Sequence, residues 1–143
     1  MIERTPCGLG RRLLAIVYDG VVLIALLLIA SVPVVLLTGG AQDDSRLYRA
    51  ALQVYELLVG FAFFGGFWHF GGQTIGMRAW RIRVVDEQGD SIGWRDAGVR
   101  YIVALFSWAC LGLGFIWSLF DPEQRTWHDI VSRTRLVHER ESA

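Results

Sequence analysis

The segment "RRLLAIVYDGVVLIALLLIASVPVVLL" (residues 11–37) decides the fold. From position 13 onward only Tyr18, Asp19 and Ser31 interrupt an apolar run. At 1.5 Å rise per residue, about 20 such residues cross the hydrocarbon core of a bilayer. The run is long enough, so the chain is expected to be integral to a membrane. It exceeds the ~7–15 apolar residues of a signal sequence and shows no convincing A-x-A cleavage site. It therefore reads as an uncleaved anchor helix.

Asp19 is the anomaly in this helix. It lies two helical turns beyond Arg12, so the two share one stripe, about 10.5 Å apart along the axis. Arg12 sits at the membrane edge and its guanidinium can reach water. Asp19 is deeper, where a charged carboxylate costs about 2.5–3.5 kcal/mol. A proton, an arginine partner or a hydrated cavity would each relieve that cost. Gly20 beside it would let another helix approach closely. Two readings stay open: a group that binds and releases a proton or cation, or a structural lock to an arginine of another segment.

Two further apolar segments follow, at 54–70 and 101–120, and the 143 residues suit a single domain. Arginine counts set the orientation. The N-terminus holds Arg4, Arg11 and Arg12, and the second loop holds Arg78, Arg81, Arg83, Arg95 and Arg100. The first loop holds Arg46 and Arg49 beside Asp43 and Asp44. The N-terminus and second loop are thus expected in the cytoplasm. The tail, with Arg125, Arg133, Arg135 and Arg140, also belongs there. A third full span would export it.

Two patterns resolve the conflict. "RIRVVDEQGDSI" (81–92) reads as a strand with a turn at 86–89, and "TRLVH" (134–138) alternates so as to pair with it. Leu111-Gly112-Leu113-Gly114 weakens the third segment near its middle, as two glycines do in a helix. The expected fold is an all-α membrane protein: two full transmembrane helices, a third broken or re-entrant segment, and a small cytoplasmic β element. A plain three-span arrangement is the alternative.

Zero formal net charge gives no reason to expect a nucleic-acid partner. Cys7 and Cys110 form neither a disulfide framework nor a C-x-x-C pattern. Glu56 falls near a helix end and is expected to stay solvated. Trp68, His69 and Phe70 suit an interfacial aromatic belt. His128-Asp129 without further histidines at ligand spacing does not define a metal site. No catalytic, cofactor or metal residue is expected, and no enzyme activity.

Three features together resemble the RDD family of small bacterial membrane proteins, named for one arginine and two aspartates. They are "RRLLAIVYDG", then "GGQTIGMRAWRIRVVDEQGDSI" with its G-Q-T-x-G element, and "GLGFIWSLFDPEQRTWHDIVSRTRLV" with its H-D pair. The resemblance implies that the arginine is Arg12, with Arg11 adjoining, and that the aspartates are Asp19 and Asp129, with Asp121 second to Asp129. Met77-Arg78 departs from members that carry lysines there. One charged cluster of Arg12, Asp19 and Asp129 is expected, with Arg78 as a further candidate partner. The resemblance also implies a bacterial cytoplasmic-membrane location and a transport role, linked in some members to sodium–proton exchange.

The expected partners are the lipid bilayer and either further copies of the chain or a membrane partner protein. As a transporter of protons, sodium or a small solute, so thin a protein would act as a homo-oligomer with Asp19 titrating. As a scaffold or accessory protein, its charged cluster would be structural.

Overall fold

The computed structural model describes residues 2–39 and 45–141. Asp43 and Asp44 of the first loop lie outside the described residues. Helix α1 (Leu9–Thr38) runs 30 residues and ends where Gly39 turns left-handed at φ 61°. Its exposed side chains include Val17, Val21, Ile24, Leu28, Leu36 and Leu37, while Arg12, Ala15 and Asp19 are buried. A helix of a water-soluble protein has the opposite arrangement, with apolar residues inward and charge outward. Helix α2 (Arg46–Gly71) starts earlier than its apolar run, because the Ser45 hydroxyl caps it by accepting from the Tyr48 N–H at 3.2 Å. The Tyr55 hydroxyl donates to the Ala30 carbonyl at 2.8 Å and ties α2 to α1. Both helices are long and apolar enough to cross a membrane.

The third apolar segment is broken. Helix α4 (Trp94–Ala109) is followed by α5 (Leu113–Ile116) and one 3₁₀ turn (Trp117–Leu119), and the two arms bend by 107°. Two left-handed residues make the corner, Leu111 at φ 57° and Gly112 at φ 78°. Glycine adopts that geometry freely, whereas leucine does so at a cost. Gly114 has a different role from the one expected. A side chain there would collide with the Ser107 hydroxyl, so it permits α5 to fold back onto α4.

A three-stranded antiparallel sheet collects the remaining chain in the order β1 (Ile2–Pro6), β3 (Thr134–Glu141), β2 (Ile82–Asp86). The expected pairing of loop and tail is present, with Val84 opposite Leu136 and Ile82 opposite His138. Strand β1 is an addition to the expected fold, since "IERTP" is short and ends in proline. Asp86 closes the turn after β2 by accepting from the Asp90 N–H at 2.7 Å. β1 precedes α1, β2 follows α2, and β3 follows the bent segment. One sheet therefore holds the N-terminus, the second loop and the tail at the same end of the helix pair. A straight third crossing would have carried β3 away from β2. Beneath the sheet, Ile82, Val84, Ile92, Ala97 and Leu136 form a buried core with Trp68.

Candidate functional site

Helix α6 (Trp127–Val131) presents Asp129 at its third position. Thr126 caps the helix, and its backbone N–H donates to Asp129 Oδ2 at 3.0 Å, the reciprocal half of a capping box. The same carboxylate gathers two arginines. Arg12 donates from one terminal nitrogen to Oδ2 at 2.5 Å, and Arg100 donates to Oδ1. Arg12 spends its other donors on the carbonyls of Cys7, at 3.0 Å, and Gln124, at 2.8 Å. Arg100 also reaches the Thr134 hydroxyl at 2.8 Å, and its guanidinium lies 5.2 Å from the centre of the Trp68 ring. Asp129 is fully buried, and the arginines are 4% and 2% exposed. Burial alone would raise the Asp129 pKa, but Arg100 and Arg12 hold it well below the usual carboxylate range. One anion thus joins α1, α4 and α6, and Arg100 carries the link on to Thr134 of β3.

Beside it, His128 is buried, with Nε2 2.9 Å from the Thr126 hydroxyl and its ring against Phe115. Burial, reinforced by the charge of Arg100, pushes the imidazole down to about 3, so it is neutral near pH 7.

Asp19 is held in another way. Its Oδ2 accepts from the Thr74 hydroxyl and its Oδ1 from the Gly76 N–H at 2.7 Å. Thr74 caps the short helix α3 (Ile75–Ala79), accepting from the Met77 N–H at 3.2 Å. Gly76 is required at that place, because a Cβ there would lie 2.9 Å from Asp19 Cγ and against the Ala15 carbonyl. The G-Q-T-x-G element is therefore the cradle of Asp19. Among the described residues no arginine bonds this carboxylate.

A cavity of about 320 Å³ is lined by Asp19 and by Arg12, Arg100 and His128 of the Asp129 centre. Helix α1 packs on α2 and α3, and α4 packs on α2 and α6, which leaves the space between α1 and α4. Arg12, Asp19 and Gly20 line it from α1, and Arg100, Tyr101 and Ala104 line it from α4. Gly20 was expected to admit a close helix. A side chain there would meet nothing within 4 Å, and the position faces the cavity instead.

The expected single cluster is thus two centres. Arg12 and Asp129 meet as anticipated, and Asp19 stands apart in its neutral cradle. Arg11 and Arg78 are exposed and join neither centre. Asp121 pairs with Arg125 at 3.1 Å in the turn before α6. Glu56 is exposed. His69 packs on Trp94 with Nδ1 2.9 Å from the Ile92 carbonyl. Cys7 is buried. No group of three metal-ligating side chains occurs among the described residues.

Arg100 escapes a reading of the sequence that counts it as a loop charge. The available signal is its helical stripe: Ala97, Ala104 and Ser107 stand three before, four after and seven after it, all small. Thr74 and Gly76 belong to the G-Q-T-x-G element, but nothing in the sequence ties them to Asp19, 55 and 57 residues away.

Two long helices with apolar outer faces, a bent third segment and charged centres turned inward define a small helical membrane protein. The sequence profile of the RDD family matches residues 6–133, and the chain belongs to that family. No curated protein matches the chain, and no solved structure does.

Proposed function

We propose that this chain is a multi-pass protein of the bacterial cytoplasmic membrane in which Asp19 takes up and releases a proton, a sodium ion or a small solute. The Asp129 centre serves as the structural clamp. The observation that carries this reading is the position of Asp19: buried within the apolar run of α1, without an arginine partner among the described residues, at a cavity wall. The sheet end, rich in arginine, faces the cytoplasm, and the α4–α5 segment dips into the bilayer and returns. Three thin helices enclose little volume, so the pathway is built from several copies. The activity is non-enzymatic and uses no cofactor.

Flux measured in proteoliposomes tests the reading. Asp19→Asn is expected to abolish proton or sodium movement while the protein remains folded. Unchanged flux would contradict it.

A second reading, a scaffold or accessory protein, is favoured by one observation. β1 and β2 are both edge strands, and an edge can accept a strand from a partner. In that case Asp19→Asn lowers accumulation in the membrane and no flux exists to alter.

A further inference from the structure

The sheet-side halves of α1 and α2 are packed, and their outer halves are bare. Asp19 is the last buried residue of α1, and Gly60 is the first of α2. Outward of these two, α1 and α2 form a helical hairpin in which no described residue is buried. The Tyr55 hydroxyl on the Ala30 carbonyl sets the level of one helix against the other.

Two polar side chains stand on this hairpin without a partner. Gln53 and Glu56 are exposed, and among the described residues neither forms a hydrogen bond or ion pair. Because α2 begins at Arg46, Glu56 lies about 15 Å inside the helix instead of near its end. At the same level α1 still has the stretch from Ser31 to Thr38 to run, about 12 Å of mostly apolar helix. Ser31 and Thr38 return their hydroxyls to carbonyls of their own helix, at 2.7 Å and 2.9 Å. With the helix pair across a bilayer, Glu56 is too deep for its short stem to carry the carboxyl to the surface, and Gln53 is one turn above it. A rotation of 100° per residue sets Glu56 about 100° and Gln53 about 160° from Tyr55, on one side of α2. The two therefore share a face that is turned away from α1. Lipid tails offer that face neither donor nor acceptor.

Symmetry points to the occupant. With the arginine-rich sheet end of every copy on the cytoplasmic side, two copies are related by a two-fold axis along the membrane normal. Such an axis sets Gln53 against Gln53 and Glu56 against Glu56 at equal depth. A carboxamide both donates and accepts, so two of them satisfy each other, and two carboxyl groups do so around a shared proton.

We infer that this face of α2 is a homodimer contact, in which Gln53 and Glu56 of one copy bond their counterparts in a second. The inference rests on the multi-copy membrane reading proposed above and names the contact; it does not require that Asp19 carry a flux.

Sedimentation equilibrium of the full-length protein in density-matched micelles tests it. The wild type is expected to be dimeric, and Gln53→Leu with Glu56→Leu should raise the dissociation constant about 10–100-fold. Both changes remove polar atoms from an apolar zone, so the double variant should melt at or above the wild type. Val54→Ala and Leu58→Ala, on the other side of α2, should leave the dimer unchanged. In liposomes, with Cys110→Ala throughout, Gln53→Cys should form an intermolecular disulfide on oxidation and Val54→Cys should not. Asp19→Asn, which touches neither residue, should keep the dimer, so failure of the contact and failure of the flux reading are seen separately. A monomeric wild type, a leucine pair that dimerises as the wild type does, or cross-linking at 54 and not at 53 would overturn the inference. A monomer with a stoichiometric second protein would give the face to another chain, and a monomer whose position 53 meets brominated acyl chains would give it to lipid; either result also overturns it.

Discussion

Asp19 and Asp129 are both almost wholly buried, yet the fold satisfies them by opposite means. Asp129 takes two arginines and a capping N–H, so its charge is balanced and shared among segments distant in sequence. Asp19 takes a hydroxyl and one amide N–H, both electrically neutral. A doubly paired carboxylate cannot change its charge without stranding two cations, which suits a clamp. A carboxylate among neutral donors can gain a proton or a cation without breaking a buried ion pair. Position explains the division of labour. Asp129 sits at the sheet end, where the arginine-rich segments converge. Asp19 lies two turns further into an apolar helix.

Removing the anion of the clamp should have the largest effect. Asp129→Asn leaves Arg12 and Arg100 buried without a counter-charge, and a loss of about 3–5 kcal/mol is expected in denaturant titration. Acid attacks the same centre through His128. The folded chain holds this imidazole at about 3 against an ordinary 6.5, so between those values only the unfolded chain takes the proton. Stability is therefore intact above pH 6.5 and falls as pH is lowered, by about 2–3 kcal/mol at pH 4.5. His128→Gln should flatten that slope in melting curves across the same window. The Asp19 cradle is probed by Gly76→Ala, which drives a methyl into the carboxylate and should cost about 1–3 kcal/mol by the same titration. The smallest effect is expected at the arginines outside both centres. Arg11→Gln and Arg78→Gln should each stay within about 0.5 kcal/mol of the wild type.

The first two helices, the break in the third and the pairing of loop with tail were legible because each has a local signal: apolar length, a glycine pair, alternation. Arg12 and Asp129 were legible through the family pattern and the requirement that the tail return to the N-terminus. Arg100 was hidden because an arginine in a polar stretch looks solvated until the bend after α4 brings α6 against it. The partners of Asp19 were hidden for a different reason. Thr74 and Gly76 act through a cap hydroxyl and a backbone amide, and only the packing of α3 on α1 brings them into reach. Leu111 in a left-handed conformation contradicts its own preference, and the return of the chain at that corner imposes it.

The most direct test of the contrast is to melt Asp19→Asn and Asp129→Asn side by side in one detergent. In Asp19→Asn the side-chain carbonyl could still accept from the Gly76 amide, so a loss of about 1 kcal/mol is expected there. The Asp129 substitution should cost several times more. Equal losses, or a larger loss at position 19, would contradict the assignment of clamp and working group.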